Sequence, residues 1–230
     1  MKAEYIALSH TASGEDILKS KKIKMSELKD KEVFFIDFCP KEKELKDIQK
    51  VAKKLIVIDH HIGAKSLIES LESGVFQDGV SGAYLASKYF FPKDKVSKFI
   101  EYISIGDTWT WKNEKLEREI LAYIHTIDFD FKTFSKIEKD LEDKNKFIKA
   151  KEIGKLLLEN YSKMVDSQIL KAKLINFDKY KVYAVNASSI FSSELGHKLA
   201  EKSKDKFSIV YHFENDKLKI SLRGDNKVNL

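Results

Sequence analysis

The stretch LIVIDHHIG, from Leu55 to Gly63, decides how the first half of this chain folds. Its four leading residues are all apolar and predict a buried strand. Asp59, His60 and His61 follow at once. A buried strand that ends in a carboxylate and two imidazoles either surfaces into solvent there or carries a functional site at its end.

The segments that precede this strand predict its neighbours. EVFFIDF, residues 32–38, is apolar almost throughout and predicts another buried strand, and residues 41–54 carry apolar side chains at helical spacing. A strand, a helix and a strand in this order predict a right-handed crossover and a parallel sheet. EYIALS, from Glu4 to Ser9, predicts a first strand ahead of them.

The rest of the chain predicts a second domain behind a long helical connector. Helices are expected at residues 81–90 and 95–105, a charged helical region at 131–174, a strand at 181–187, a helix at 194–202, and a hairpin that turns at 214–216. The predicted fold class is α/β: a parallel, doubly wound sheet joined by a long helix to a smaller α/β domain. The domains are predicted at residues 1–150 and 151–230.

Composition narrows the class of protein. At 230 residues and 43% hydrophobic content, the chain is long enough for two modest cores. The sequence contains no run of eighteen apolar residues, so it predicts no membrane-spanning helix. The single cysteine, Cys39, excludes an intrachain disulfide and predicts a cytoplasmic location. The net charge of +6 favours polyanionic partners without requiring them.

Polar side chains collect where the predicted strands end. His10 follows the first strand, Asp37 lies near the end of the second, and Asp59 to His61 close the third; Asp107, in ISIGDTWTW, ends a predicted helix. Carboxylates and imidazoles at one sheet edge predict a divalent metal site. This mixture of ligands suits manganese, iron or zinc better than magnesium or calcium.

Each of these residues also has a purely structural interpretation. An aspartate at a strand end is most often the N-cap of the next helix, and a single histidine is more often a hydrogen-bonding residue than a ligand. Asp59, His60 and His61, taken alone, leave the two interpretations evenly balanced.

Several motifs in order resemble the DHH phosphoesterase superfamily, which is named after the Asp-His-His triplet. The resemblance rests on that triplet, on FFIDF, on DGVSGAYLASKYFFP and on ISIGDTWTW. VNASSIFSSELGHKL and ISLRGDNKVNL resemble the accessory domain DHHA1 of nano-RNases, cyclic-dinucleotide phosphodiesterases and RecJ-type exonucleases. The resemblance covers nearly the whole chain.

This resemblance implies a set of metal ligands. Asp37 would bridge two manganese ions, His60 and Asp107 would bind one of them, and Asp59 would be either a ligand or the group that orients a ligating imidazole. The resemblance leaves open whether magnesium or another divalent ion replaces manganese. His10 and Asp16 are the candidates for the other ion.

The resemblance also implies catalytic and substrate-binding residues. His61 would act beside the scissile phosphate, with Asp59 as its catalytic partner. Arg223 would bind a substrate phosphate through its two-pronged guanidinium. Ser81 would lie near the phosphate or simply cap a helix, and Asn186 would touch a base or ribose or simply form a turn or cap.

The chain departs from the family pattern in two places. In SHTASGEDILK, Ala12, Ser13 and Gly14 stand where the family carries aspartates, so one metal is expected to bind weakly or not at all. The strand with Arg223 is not followed by the family's glycine- and histidine-rich loop before Leu230.

Two functions therefore stay open at the level of sequence. The favoured one is a metal-dependent phosphoesterase that cleaves short oligonucleotides or related nucleotides. The alternative is a weakened or inactive homologue that binds a nucleotide or a protein partner without hydrolysing anything. The sequence does not decide between RNA, DNA and cyclic dinucleotides, nor between a monomer and a homodimer.

Overall fold

The computed structural model describes residues 3–8 and 17–224. The chain divides after Glu152 into two compact units, and each is described by itself. The first unit contains a parallel sheet and most of the helices, and the second contains a mixed sheet.

The elements of the first unit are mostly helical. Its strands are β1 (Glu32–Ile36), β2 (Lys54–Asp59) and β3 (Gly74–Phe76). Its helices are α1 (Ile17–Ser20), α2 (Met25–Leu28), α3 (Glu42–Gln49), α4 (Lys65–Glu69), α5 (Gly82–Phe90), α6 (Lys98–Thr108), α7 (Glu114–Ile124) and α8 (Phe131–Glu142), and α9 (Lys144–Ile169) continues into the second unit.

The three strands form a parallel sheet in the order β1-β2-β3, with Phe35 opposite Val57 and Asp59 opposite Phe76. The central strand β2 is buried from Leu55 to Asp59 because both of its faces are covered. One face packs with Leu45 and the rest of α3's apolar side. All three strands therefore direct their carboxyl ends to one edge.

Two helices reach that edge from other parts of the chain. Helix α5 begins after Ser81, whose hydroxyl oxygen accepts a hydrogen bond from the backbone of Tyr84, and α6 begins after Ser97, which caps it in the same way. The backbone N–H of Ser81 donates to the hydroxyl of Ser104 on α6 at 2.9 Å. This buried bond ties the start of α5 to the middle of α6.

The second unit is built on a four-stranded mixed sheet. Its strands are β4 (Lys173–Phe177), β5 (Tyr180–Asn186), β6 (Phe207–Glu214) and β7 (Lys217–Gly224), in that order across the sheet, and its helix is α10 (Ser192–Lys202). Only the β5–β6 pair is parallel. Leu195 and Leu199 of α10 pack on one face together with Val185 and Val210.

The α/β class and the parallel pairing of residues 32–36 with 54–58 are confirmed. The predicted hairpin is also present: Asn215 and Asp216 both have positive φ and join β6 to β7, as expected for a tight two-residue turn. Among the described residues, no helix combines the length and the apolar character needed to cross a bilayer.

Two local predictions were wrong. Residues 3–8 form no strand: Tyr5 and Ile6 are exposed, and a short apolar run makes a strand only where a neighbour supplies hydrogen bonds. Lys173 and Leu174 begin β4 instead of ending a helix, because they pair with Ala184 and Tyr183. Strand β3 and helix α7 were not predicted.

Candidate metal centre

Asp37 stands at the carboxyl end of β1 in a left-handed conformation, with φ of 59°. Its N–H donates to the carbonyl of Ile58 at 2.8 Å, which extends the pairing of β1 with β2 by one bond. Aspartate tolerates this conformation better than most residues. The turn brings its carboxylate to the start of α5, where the N–H of Gly82 donates to Oδ1 at 3.3 Å.

Asp59, the last residue of β2, is almost completely buried at 1% exposure. Its Oδ1 accepts hydrogen bonds from the backbone N–H of His60 at 2.7 Å and of His61 at 3.3 Å. The same oxygen lies 2.6 Å from Nδ1 of His61. Asp59 therefore orients the His61 ring and leaves Nε2 of that ring on the side away from the carboxylate, with the side chain half-exposed.

His60 projects its ring between two carboxylates. Its Nε2 lies 3.2 Å from Oδ1 of Asp37 and 3.2 Å from Oδ2 of Asp107. This nitrogen is buried, and neither contact has hydrogen-bond geometry; it has no hydrogen-bond partner among the described residues. A buried ring nitrogen without a hydrogen bond is costly, unless an ion takes the place of the missing proton.

Helix α6 carries Asp107 to this position. Ser104 and Asp107 are three residues apart and lie on the same face of the helix. The bond from Ser81 to Ser104 anchors that face against the start of α5. Asp107 is thereby held beside His60 although the two residues are 47 positions apart in the sequence.

The two separations measured from His60 fit coordination of one divalent ion. Ligand atoms about 2.1 Å from an ion are about 3.0 Å apart at octahedral angles and about 3.4 Å apart at tetrahedral angles. The two 3.2 Å separations from His60 lie within that interval. Asp37 and Asp107 keep 44% and 43% of their side chains exposed, so the position between them is open to solvent.

A second grouping shares Asp37 and His60 with this trio but does not include Asp107. Ligand atoms of Asp37, Asp59, His60 and His61 all lie within 4.8 Å of one another. This group is able to hold a metal ion, and nothing in its geometry fixes which metal. The rings of His60 and His61 are 4.4 Å apart between centroids.

The Cys39 thiol near Asp59 stays protonated at neutral pH. Burial, and then the nearby carboxylate of Asp59, raises the pKa of the Cys39 thiol to about 11.

The structure does not bring together every residue that the sequence singled out. His10 and Asp16 lie outside the described residues. Ser81 is buried, and both its hydroxyl and its N–H serve the capping contacts described above. Helix capping, the structural alternative for Ser81, is therefore what the geometry shows.

Arg223 and Asn186 belong to the second unit. The guanidinium of Arg223 donates to the hydroxyl of Ser193 at 3.3 Å, and its aliphatic stem passes so close to Gly196 that a Cβ there would lie 2.6 Å from it. The side-chain amide of Asn186 donates to the carbonyl of Tyr211 at 3.0 Å. This contact joins the last residue of β5 to its register partner in the middle of β6.

Two residues important to the site were not identified from sequence. Gly82 is the point of closest approach to Asp37, since a Cβ there would lie 2.5 Å from both Cβ and Oδ1 of Asp37. Ser104 anchors α6. The only sequence signal for either was the Ser-Gly pair at a helix start, which is equally typical of an ordinary cap.

The known proteins to which this chain is similar are described as uncharacterized. No protein-family model matches the chain. The chain is similar to an uncharacterized protein of Acanthamoeba polyphaga mimivirus, at 29% identity over 197 residues, which cover 82% of this chain and 42% of the viral protein. The chain thus spans less than half the length of that relative. Among solved structures, it is similar to an uncharacterized protein from Helicobacter pylori G27, with a TM-score of 0.41, 13% identity, and coverage of 85% of this chain and 70% of that one.

Proposed function

We propose that this protein is a metal-dependent phosphoesterase that hydrolyses phosphodiester bonds in short oligonucleotides or related nucleotides. The observation that carries the proposal is the convergence on His60: its buried Nε2 lies 3.2 Å from the carboxylates of both Asp37 and Asp107 without a hydrogen bond to either. The motifs that resemble the DHH superfamily, with its two-domain layout, support the same reaction and make Mn²⁺ the first ion to test.

Asp37, His60 and Asp107 are the residues that would hold the ion. A divalent ion bound there supplies Lewis acidity toward a phosphoryl oxygen and makes water more acidic. The half-exposed carboxylates keep the site open, as a catalytic metal site requires.

His61 and Asp59 supply the proton chemistry. Because Asp59 accepts the hydrogen bond of Nδ1, the ring is held in one orientation and Nε2 is the atom available to substrate. A neutral Nε2 accepts a proton from the attacking water, and a protonated one donates it to the leaving oxygen. Asp59 acts as a positioning residue for His61.

The test is hydrolysis of a linear dinucleotide by the purified chain with and without Mn²⁺. We expect turnover that needs the ion, stops on chelation and returns when the ion is restored. Asp37→Asn and His60→Ala should each reduce kcat/KM by at least about 100-fold, since each removes a ligand. Asp47→Asn, a surface aspartate paired with Lys50, is the matched control and should keep full activity.

Two outcomes would contradict the proposal. One is turnover that survives chelation of all divalent ions. The other is an equal loss from Asp37→Asn and Asp47→Asn, which would show that the cluster has no special part in the reaction.

A second candidate is a protein that binds a nucleotide without hydrolysing it. It is favoured by the absence of carboxylates at Ala12, Ser13 and Gly14, where related phosphoesterases complete a second metal shell. Calorimetric titration with Mn²⁺ counts the ions bound, and titration with the dinucleotide in the presence of the ion measures affinity. Tight binding of the dinucleotide without any product after prolonged incubation would establish this candidate instead.

A further inference from the structure

Trp109 has an unusual backbone conformation next to the candidate metal centre. It is the C-cap residue of α6 and has φ of 55° and ψ of 30°, in the left-handed region. Glycine or asparagine is the usual residue at such a helix end, and a bulky side chain in this region is a genuine outlier. A strained residue of this kind is found where the surrounding structure holds it for a purpose.

The strained residue is an aromatic one that lies close along the chain to the candidate ligand Asp107. Trp109 follows Asp107 by two residues, so their Cα atoms are at most about 7 Å apart. Trp109 is 37% exposed, and Ile62, which directly follows His61, is 63% exposed. Exposed apolar residues therefore flank the candidate ligands along the chain at two places.

The segment that carries Trp109 is held firmly. The hydroxyl of Thr108 donates to the carbonyl of Ser104 at 2.9 Å and lies 2.9 Å from the hydroxyl of Thr110. The ring of Trp111 meets that of Trp109 edge-on, with centroids 5.9 Å apart and planes at 67°. A surface that is already ordered binds a ligand without the entropic cost of fixing a loop.

We propose that Trp109 is a stacking platform for a nucleobase of the substrate, next to the phosphate held at the metal centre. This inference rests on the proposed function and adds to it the class of group recognised. An exposed indole stacks on any base, because every base has a π face. Stacking of one base on an aromatic side chain changes affinity by about 5- to 150-fold, without selecting one sequence.

The chain offers a direct test because it contains two tryptophans. Trp111→Phe leaves Trp109 as the only indole, and Trp109→Phe leaves Trp111. Each protein is titrated with adenosine 5′-monophosphate and with ribose 5-phosphate at a fixed Mn²⁺ concentration, and the tryptophan fluorescence is followed. We expect saturable quenching of Trp109 by the nucleotide, little quenching by the sugar phosphate, and a much weaker response from Trp111.

The wild-type protein also contains Trp109 and must show the same quenching. The proposal can therefore be tested even if Trp111→Phe fails to fold. Equal quenching by the nucleotide and the sugar phosphate, or none by either, overturns it. Neither titration requires hydrolysis. Quenching without any turnover would therefore support the stacking platform while refuting the phosphoesterase, and turnover without quenching would do the reverse.

Kinetics give a second readout. Trp109→Ala should raise KM for a dinucleotide by at least about 10-fold with a smaller change in kcat, and Trp109→Phe should restore part of the loss. The loss should be several-fold smaller on an analogue in which the bases are absent. Phe129→Ala, an exposed aromatic in the segment between α7 and α8, is the control and should keep the wild-type KM. An equal loss for Trp109→Ala with and without bases would show that Trp109 only supports Asp107.

Discussion

Replacing Gly82 with alanine should weaken metal binding without touching a ligand. The added Cβ would lie 2.5 Å from both Cβ and Oδ1 of Asp37 and 2.7 Å from its Cα. Ordinary carbon–carbon contact begins at about 3.5 Å, so the two segments must separate by about 1 Å. Metal–ligand distances tolerate only about 0.2 Å. The carboxylate of Asp37 would therefore move out of coordinating range.

We expect Gly82→Ala to lower both the affinity for Mn²⁺ and the stability of the fold. A displaced ligand should weaken Mn²⁺ binding by about 10- to 100-fold, as loss of a supporting contact commonly does. Overpacking costs about 1–3 kcal/mol, and the better helix propensity of alanine returns at most about 1 kcal/mol. Without metal, we expect Gly82→Ala to be less stable than wild type by about 1–2 kcal/mol.

Calorimetric Mn²⁺ titration measures the metal affinity, and denaturant unfolding measures the stability of the fold. Metal bound only by the folded state stabilises it in proportion to the logarithm of its affinity, so at saturating Mn²⁺ the variant should gain about 1.4–2.7 kcal/mol less than wild type. Gly63→Ala is the matched control, because its Cβ would meet nothing within 4 Å. If a folded Gly82→Ala binds Mn²⁺ as tightly as wild type and Gly63→Ala, Asp37 is not a ligand and the metal centre is wrongly assigned.

Three further perturbations have defined outcomes. Asp59→Asn removes the carboxylate that orients His61, so kcat should fall by about 100- to 10,000-fold while Mn²⁺ affinity changes less than about 10-fold; equal losses in calorimetry and kinetics would make Asp59 a ligand. Hydrogen bonds from Lys136 and Lys146 lower the pKa of Asp140 below its usual 3.8. The pairing of Asp140 with these lysines therefore stabilises the fold fully above pH 3.8, and this stabilisation is lost as the pH falls through the lowered pKa. Asp140→Asn should thus cost about 0.3–1 kcal/mol at pH 7 and nothing once the pH is well below that pKa, measured by urea unfolding across the range; a cost that persists in strong acid would show that packing, and not charge, is involved. Asp216→Gly should raise the free energy of unfolding by about 0.5–1 kcal/mol, because Asp216 has φ of 60° in the β6–β7 turn; a lower denaturation midpoint would contradict this.

The sequence alone determined the parts of this protein that depend on neighbouring residues. Four consecutive apolar residues before Asp59 were enough to predict a buried strand, and the helical segment before them predicted its parallel partner. The strand-like runs FSIVYHF and KLKISLR on either side of the turn at residues 214–216 predicted the last hairpin. The same local reading failed for residues 3–8, whose pairing depends on a neighbour that no local pattern reveals.

Tertiary structure alone decided what these residues do together. The sequence suggested Asp37, His60 and Asp107 as ligands, but the two 3.2 Å separations from His60 depend on contacts between distant segments. Helix α6 is tied through Ser104 to the start of α5, and Gly82 lets Asp37 approach. Ser81 had two equally good interpretations until its hydroxyl was found capping α5. A periodic pattern reports which face of an element is buried, whereas a site requires atoms from distant segments to meet within a few tenths of an ångström, and only the packing of whole elements against one another sets such distances.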